Sequence, residues 1–257
     1  MKADAAGRVA LVVGGASGMG RLAARRWAAA GGLAVAADVD EAGLGETARG
    51  HPGIHVRPLD VTRSEAVASL VKEVEAELGL IERVYNGAGI MPTGLLLDQD
   101  LDEIHRVMAI NYGGVVNVSL AVLPLMLERR RGALVNFASI AGWVPNMHFG
   151  AYNASKFAVV AFTEVLRHET RGRGVRICCV CPSTVDTPLL AQATSHPRIM
   201  EMGPKPIHPE VVLDAIDRAL ETGRFWVFAG ASTRMGWMLR RFFPGLMWRI
   251  DHRAEGF

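Results

Sequence analysis

Short apolar segments typical of β-strands alternate along this chain with longer segments that have the periodicity of amphipathic helices. The strand-like segments are residues 9–13, 33–37, 54–59, 81–85, 132–138, 175–180 and 225–228. The intervening sequence predicts helices over residues 18–30, 40–49, 63–78, 99–127, 151–170 and 209–222. Strands that are joined through helices by short links form a parallel sheet covered on both faces. The alternation therefore predicts a doubly wound α/β fold with about seven strands.

Length and composition fit one domain of this kind and narrow the classes of partner. The chain has 257 residues, of which half are apolar, and its net charge is +2. This composition is sufficient for a large core, whereas the charge is too small to indicate a nucleic-acid partner. The longest apolar stretch, residues 113–127, is too short and too polar to span a bilayer, and the first residues lack the pattern of a signal peptide. We therefore expect a cytoplasmic protein.

A glycine-rich loop follows the first strand in the sequence VVGGASGMGRLA, residues 12–23. Gly14 comes directly after the strand, and Gly18 and Gly20 follow in a longer spacing than the G-x-G-x-x-G fingerprint has. Such glycines let backbone N–H groups approach a pyrophosphate at a helix N-terminus. Asp38 ends the second strand, where a carboxylate accepts hydrogen bonds from an adenosine ribose. The pair predicts a dinucleotide site, although Asp38 is also an ordinary type of turn or helix-cap residue.

A second group of residues has the character of a reacting centre. Tyr152 and Lys156 are spaced i, i+4 in YNASK, so they share one face at the start of a helix. A free tyrosine titrates near 10, and a neighbouring ammonium together with a cationic nicotinamide ring favours the phenolate. Ser139 ends the fifth strand, where its hydroxyl can hold a substrate oxygen or cap a helix. Asn111 interrupts a helical segment in which asparagine has poor propensity, which indicates a buried partner or a function.

These residues, in this order, resemble the short-chain dehydrogenases/reductases in their single-domain branch, over roughly residues 8–230. The family's T-G-x-x-x-G-x-G is V-G-G-A-S-G-M-G here, its N-N-A-G is residues 86–89, and its P-G is Pro182-Ser183. The departures at Val13, Gly87 and Ser183 affect the support of the cofactor loops and leave the reacting groups intact. The resemblance implies a Rossmann-like, doubly wound parallel sheet of about seven strands with helices on both faces.

The resemblance also implies a mechanism and a cofactor site. Ser139 and Tyr152 bind the substrate oxygen, and Tyr152 passes a proton to or from it. Lys156 lowers the pKa of that tyrosine and holds the cofactor ribose, while Asn111 anchors a water behind Lys156. Hydride moves between the nicotinamide C4 and the carbon that bears the oxygen. The catalytic set is Asn111, Ser139, Tyr152 and Lys156, no metal is implied, and the cofactor site comprises Gly14, Ser17, Gly18, Met19, Gly20, Asp38, Asp60, Val61, Asn86, Ala88, Gly89, Tyr152, Lys156, Pro182, Val185 and Thr187.

The residues near the adenosine position favour NAD over NADP. A 2′-phosphate needs a basic partner, whereas position 38 is Asp and is followed by Val39, and Ser17 precedes Gly18. Arg21 lies nearby on the first helix, so an NADP-dependent ketone or 3-oxoacyl reductase remains the alternative. A dinucleotide-binding scaffold without catalysis is a further alternative, because a fold does not by itself fix a function.

Apolar residues near the catalytic positions and in the irregular segment 187–209 predict the substrate class. A pocket built from them suits a hydrophobic secondary alcohol or ketone, which includes fatty, steroid, terpenoid and aromatic compounds. Segment 187–209 is expected to form a loop or lid, and His148 is expected at the rim. The predicted pocket residues are Met91, Trp143, Val144, Met147, Phe149, Leu189 and Leu190.

The C-x-x-C spacing of Cys178 and Cys181 has two interpretations, a redox or zinc motif and a buried strand that contains thiols. Redox C-x-x-C motifs begin a helix, whereas this one lies in a β-type segment that runs into Pro182. A second cysteine pair, which would complete a zinc site, is missing from the sequence. The sequence therefore favours the buried strand.

Two features predict contacts beyond the single domain. Segments 103–127 and 151–170 are apolar over more than one face, which indicates a homodimer or homotetramer. We assign residues 1–231 to one NAD-binding catalytic domain and residues 232–257 to a tail in which apolar residues and arginines alternate. Pro244-Gly245 divides this tail into two short helical pieces at most. Packing of the tail over the substrate mouth or a neighbouring subunit is favoured, and peripheral contact with an anionic membrane is the alternative.

Overall fold

The computed structural model describes residues 5–195, 197–203 and 205–257. Seven parallel strands form one sheet in the order β3-β2-β1-β4-β5-β6-β7. The predicted doubly wound, Rossmann-like parallel sheet of seven strands is thus confirmed. The strands are β1 Val9–Val13, β2 Leu33–Asp38, β3 Ile54–Pro58, β4 Ile81–Asn86, β5 Gly132–Phe137, β6 Val175–Val180 and β7 Trp226–Val227.

Helices connect the strands and follow the last of them. They are α1 Gly18–Ala29, α2 Glu41–Ala48, α3 Ser64–Glu77, α4 Leu101–Met108, α5 Gly114–Glu128, α6 Gly150–Glu169, α7 Arg198–Met202, α8 Pro209–Thr222, α9 Ala231–Phe242 and α10 Pro244–Glu255. Segment 187–209, expected as a loop, contains a 3-10 turn at Pro188–Gln192 and the short α7. Its residues His196 and Pro204 lie outside the described part of the chain.

Each face of the sheet has its own apolar core. On β1, Ala10 and Val12 belong to the layer that includes Trp27 of α1 and Leu220 of α8. Val9, Leu11 and Val13 face the opposite layer, which is formed largely by α3 and α5. Burial of one such side chain contributes roughly 1.5–3 kcal/mol, so both layers stabilise the carboxyl edge where the strands end.

A continuous helical run covers one face of the sheet, because a π-helical turn at Ala109–Gly113 joins α4 to α5. Among the described residues, this run, Leu101–Glu128, is one helix with the length and composition to cross a membrane. However, 44% of its most apolar window is buried inside the protein, where Val118 and Val122 pack into the core. This burial is typical of a core helix in a layered α/β fold.

The cysteines lie on opposite faces of β6. Cys178 packs into the layer that contains α1 and α8, whereas Cys179 and Cys181 pack on the other face, with their sulfurs 3.9 Å apart. All three thiols are buried and free. The C-x-x-C residues therefore do not face each other, as expected of a thiol-containing strand. Within residues 5–195, 197–203 and 205–257, no group of three or more His, Cys, Asp or Glu is placed to hold a metal ion.

Candidate active site

A cavity of about 520 Å³ opens at the carboxyl edge of the sheet, where β1 and β4 lie side by side. Connections leave these two strands toward opposite halves of the sheet, and ligands bind at such a switch point in open α/β folds. The cavity extends from the end of β2 to the start of α6. The predicted site residues in its wall are Gly14, Ser17, Gly18, Met19, Gly20, Asp38, Asp60, Val61, Ala88, Gly89, Ser139, Tyr152, Lys156, Pro182, Val185 and Thr187.

Glycine is required in the loop between β1 and α1. Gly14 has φ +81°, and a Cβ there would lie 2.7 Å from the backbone nitrogen of Ala88. Gly20 packs directly on the backbone of Gly14, where a Cβ has no room. The helix α1 begins at Gly18, and Gly18, Met19 and Gly20 of its first turn line the cavity. This loop can approach an anionic group closely.

Asp38 ends β2 and is bonded to the glycine loop. One carboxylate oxygen accepts a hydrogen bond from the backbone N–H of Ala16 at 3.1 Å, and the other accepts from the N–H of Asp40 at 3.2 Å. Arg21 lies beneath the loop, where its guanidinium donates to the carbonyl of Ala16 and to Thr47 Oγ1. Arg21 is not part of the cavity wall, so this part of the wall carries the carboxylate of Asp38 and not the guanidinium of Arg21.

Asp60 and Val61 follow β3 on the same edge. The carboxylate of Asp60 accepts from the backbone N–H and the hydroxyl of Thr62 at 2.9 and 2.7 Å. These hydrogen bonds lower the pKa of Asp60. The carbonyl of Val61 accepts from Asn117 of α5 at 2.8 Å, which fixes this part of the wall to the long helix.

Ser139 and Tyr152 lie together in the cavity wall, close enough for the Ser139 hydroxyl to lower the pKa of the phenol. Ser139 also caps the 3-10 turn Ile140–Gly142, because its Oγ accepts from the backbone N–H of Ala141 at 3.1 Å. The capping and oxygen-holding interpretations of this serine are therefore compatible. Burial raises the pKa of Tyr152 to about 12, and the hydrogen bond with Ser139 opposes that rise.

Lys156 lies one helical turn from Tyr152, with its ammonium nitrogen 5.6 Å from the centre of the tyrosine ring. It donates to the carbonyl of Phe137 at 2.9 Å. Burial lowers its pKa to about 8, although the nearby Cys179 and Cys181 oppose this shift. Desolvation of the buried phenol dominates the pKa of Tyr152, so the lowering expected from Lys156 together with a cationic nicotinamide ring stays a prediction.

Two predicted site residues, Asn111 and Asn86, lie behind the cavity wall. Asn111 is fully buried in the π-helical turn, and its side chain exchanges two hydrogen bonds, of 2.8 and 2.9 Å, with the backbone of Ile90. It also donates to Ser155 Oγ at 3.1 Å. Asn86 donates to the carbonyl of Val115 and to Asn136 at 3.1 Å each. Asn111 therefore joins the loop after β4 to α6, and Asn86 joins the end of β4 to α5 and β5.

The apolar part of the cavity contains four of the seven predicted pocket residues, namely Met91, Phe149, Leu189 and Leu190. The prediction was wrong for Trp143, Val144 and Met147. Trp143 points away from the cavity because it stacks edge-on against Trp226 and Trp237, at ring-centre distances of 5.1 and 5.9 Å. Its indole N–H also contacts Cys181 Sγ at 3.4 Å.

Several wall residues carried no recognisable signal in the sequence. Gln192 lines the cavity and accepts from the backbone N–H of Met91 at 3.0 Å, which joins segment 187–209 to the loop after β4. Thr93 strengthens this junction by donating to the carbonyl of Ser195 at 2.8 Å. Arg106 and Asn146 complete the polar part of the wall. Such contacts across about 100 residues depend on tertiary folding and leave no local periodicity.

The inner face of the tail packs on the loop that precedes Tyr152. Asp251 of α10 is 2% exposed and accepts from the backbone N–H of Met147 at 2.8 Å. Glu255 lies 3.5 Å from the imidazole of His148, whose backbone has φ +66°. Met147 and His148 are therefore held by α10. The side chain of His148, which was expected at the rim of the pocket, contacts Glu255 of the tail.

Comparison with known proteins identifies the class that this fold and site define. The family model described as short chain dehydrogenase matches residues 8–198. The chain belongs to the short-chain dehydrogenase family and is an oxidoreductase by that membership.

Individual relatives carry dehydrogenase names. The chain is 38% identical over 188 residues to 2-dehydro-3-deoxy-L-rhamnonate dehydrogenase (NAD(+)) of Sphingomonas sp. (strain SKA58), covering 73% of this chain and 76% of that protein. It is 36% identical over 236 residues to 1-deoxy-11-beta-hydroxypentalenate dehydrogenase of Streptomyces exfoliatus, covering 89% and 85%. A short chain dehydrogenase/reductase from Burkholderia phymatum, solved in complex with NAD, superposes with a TM-score of 0.85 at 27% identity, covering 95% and 96%.

Proposed function

We propose that this protein transfers a hydride between NAD(H) and a hydrophobic secondary alcohol or ketone. The observation that carries this proposal is that Ser139, Tyr152 and Lys156 line one cavity together with the glycine loop. Incubation with NAD⁺ and secondary alcohols of increasing apolar size tests it through the absorbance of NADH. The names of the two relatives from Sphingomonas and Streptomyces support the reaction class, because both are dehydrogenases.

The residues that line the cavity fit each part of a bound dinucleotide, from the adenosine to the nicotinamide. The close approach of Gly14 and Gly20 leaves a cradle that side chains would fill, and the N-terminus of α1 supplies N–H groups for the pyrophosphate. The carboxylate of Asp38 is in place for the adenosine ribose. Asp60 and Val61 would border the adenine, while Pro182, Val185 and Thr187 would border the nicotinamide. Bound NAD⁺ supplies a hydride acceptor and a positive charge near Tyr152.

Proton transfer is assigned to Tyr152. Its hydroxyl and Ser139 Oγ bind the substrate oxygen, and Tyr152 accepts the alcohol proton during oxidation or donates it during ketone reduction. Since burial raises the pKa of this phenol to about 12, a nearby positive charge is needed for it to act as a base at neutral pH. Lys156 and the oxidised cofactor together would provide that charge, and Lys156 would also hold the cofactor ribose.

Asn111 contributes by positioning. Its side chain joins the loop after β4 to Ser155, which neighbours Lys156 on α6. With the side chain engaged in this way, the relay water that we propose behind Lys156 would be held by the backbone carbonyl of Asn111. The π-helical turn places this carbonyl outside the regular α-helical pattern.

The cofactor preference gives a direct prediction at Asp38. We expect the wild-type protein to bind NAD⁺ at least about tenfold more tightly than NADP⁺, because the carboxylate repels a 2′-phosphate. Asp38→Asn keeps the size of the side chain and removes its charge, so this difference in affinity should shrink. Titration of both cofactors by intrinsic tryptophan fluorescence measures it. Equal or tighter binding of NADP⁺ to the wild-type protein contradicts the proposed role of Asp38.

We also propose that the protein is a cytoplasmic homodimer or homotetramer. Apolar side chains remain on the outer surface of α5 and α6, where Leu120 and Val165 are each 56% exposed and Phe157 is 40% exposed. An association of two copies would remove this surface from water, and closed two-fold assemblies are common.

The outer surface of α5 and α6 gives a prediction for assembly. The double variant Leu120→Glu/Val165→Glu is expected to reduce the particle mass by at least half in size-exclusion chromatography with light scattering. The control is Leu97→Glu, since Leu97 is fully exposed in a loop elsewhere. An unchanged mass in the double variant places the interface on another surface.

A further inference from the structure

The outer face of the C-terminal tail is apolar and basic, although the inner face packs on the protein. The tail carries eight large apolar side chains that are exposed to solvent, four on α9, two on α10, one between the two helices and one after α10. Those of α9 follow the i, i+3, i+4, i+7 spacing that a helix ordinarily turns toward a core. The eight are Met235, Met238, Leu239, Phe242, Phe243, Leu246, Ile250 and Phe257.

Charge on the tail is divided between the same two faces. The sequence from 231 to 257 contains only two acidic residues, Asp251 and Glu255, and both side chains are buried against the loop at Met147 and His148. The same stretch contains five arginines, of which Arg240 lies over the ring of Trp248 with its guanidinium carbon 5.8 Å from the ring centre. The tail therefore presents positive charge and apolar side chains outward, with its acids inside.

We propose that this outer face binds the surface of an anionic lipid membrane. Arginines among aromatic and aliphatic side chains suit the headgroup region, because the apolar groups enter the acyl boundary while the guanidinium groups remain at the phosphates. An anionic surface complements the charge of the tail, whereas a second copy of the same face would bring its arginines against one another. Two helices joined at Phe243-Pro244 act together, which offsets the short length of each.

The tail contacts α7, and Met200 of α7 lines the cavity. A membrane bound to the tail would therefore lie beside the apolar end of the cavity. The binding itself follows from the surface of the tail alone and does not depend on the proposed reaction.

The experiment is co-sedimentation of the full chain with vesicles of phosphatidylcholine, with and without phosphatidylglycerol. We expect the protein to sediment with the anionic vesicles at low salt and to be released at high salt. Arg241→Gln/Arg249→Gln should lower the partition coefficient roughly 25-fold, about fivefold for each arginine. Phe242→Ser/Ile250→Ser should lower it at least roughly tenfold.

Matched controls are available elsewhere on the surface. Arg171→Gln/Arg173→Gln removes two exposed arginines from the loop after α6, and Leu80→Ser removes an exposed apolar side chain at the opposite edge of the sheet. These variants should sediment like the wild type. Melting temperature and far-ultraviolet circular dichroism verify that every variant is folded.

The results distinguish binding of a membrane to the outer face of the tail from binding of a second copy of the chain. Loss of vesicle binding in both tail variants, with binding retained by the controls, supports the proposal. The proposal fails if wild-type protein stays in solution with anionic vesicles, or if the tail variants sediment as well as the wild type. A reduced particle mass in the tail variants, without vesicle binding by the wild type, would assign the face to a second copy of the chain instead.

Discussion

Replacement of Tyr152 by phenylalanine is expected to reduce turnover at least ~100-fold, because the variant lacks the group that exchanges the substrate proton. The phenyl ring preserves the packing of a buried position, so folding and NAD⁺ affinity should change little. Steady-state kinetics with the best alcohol substrate and a fluorescence titration of NAD⁺ measure the two quantities.

A matched control for this variant is Tyr112→Phe. Tyr112 packs edge-on against Phe162 at a ring-centre distance of 6.1 Å and is absent from the cavity wall. Its replacement nearly preserves the volume of the side chain, so turnover should stay close to that of the wild type. The assignment of Tyr152 is wrong if Tyr152→Phe retains most of the wild-type turnover.

The second large effect is expected at Gly14. Alanine at this position meets backbone atoms of Gly87 and Ala88 at 2.8 and 2.7 Å, and the backbone has φ +81°. Backbone cannot move aside as a flexible side chain can, so the strand end or the glycine loop must shift. We expect Gly14→Ala to lower the free energy of unfolding by about 2 kcal/mol or more and to weaken NAD⁺ binding at least tenfold.

Gly45→Ala is the control for the loop variant. Gly45 lies exposed within α2, and a Cβ there meets nothing within 4 Å. Alanine has the better helix propensity, so this variant should stabilise the protein by roughly 0.5–1 kcal/mol without affecting the cofactor. Urea denaturation measures both changes. A Gly14→Ala protein with wild-type stability and wild-type NAD⁺ affinity would exclude the role that we give to the glycine loop.

The architecture was largely predictable because its signals are local. The β1 sequence VALVV is apolar without alternation, as a strand covered on both faces requires, and the structure buries all five residues. The strands predicted at 175–180 and 132–138 differ from β6 and β5 by at most one residue. Element ends varied more, since β7 covers only Trp226–Val227 of the predicted segment 225–228.

The predictions for the site residues were less uniformly correct than those for the strands. Whether a residue reaches the cavity depends on the direction of its side chain as well as on its position in the sequence. Asp38 and Ser139 follow strands at the carboxyl edge, so parallel topology brings them to the cavity. Trp143 follows Ser139 closely in sequence, yet its indole packs against Trp226 and Trp237. The direction of a side chain after a 3-10 turn is set by tertiary packing. The sequence also gave no sign that Gln192 and Thr93 would join segment 187–209 to the loop after β4.

The raised pKa of Tyr152 shows what sequence spacing leaves out. The i, i+4 spacing correctly indicates that Tyr152 and Lys156 are neighbours, but it carries no information about desolvation. In the structure both groups are buried, and burial favours the neutral form of each. It raises the pKa of the Tyr152 phenol to about 12 and lowers the pKa of the Lys156 amine to about 8. Under the proposed function, the bound cofactor would supply the positive charge that the phenolate needs.

We propose hydride transfer from an apolar secondary alcohol to NAD⁺, with Tyr152 accepting the alcohol proton. The most direct measurement is the initial rate of NADH formation across a panel of secondary alcohols, with wild-type protein and Tyr152→Phe assayed side by side. We expect NADH formation to be faster with larger apolar alcohols and at least ~100-fold slower in the variant, and we expect NADPH formation from NADP⁺ to be weaker. NADH formation by the variant at the wild-type rate, or the absence of any wild-type activity above the no-enzyme background across the panel, would contradict it.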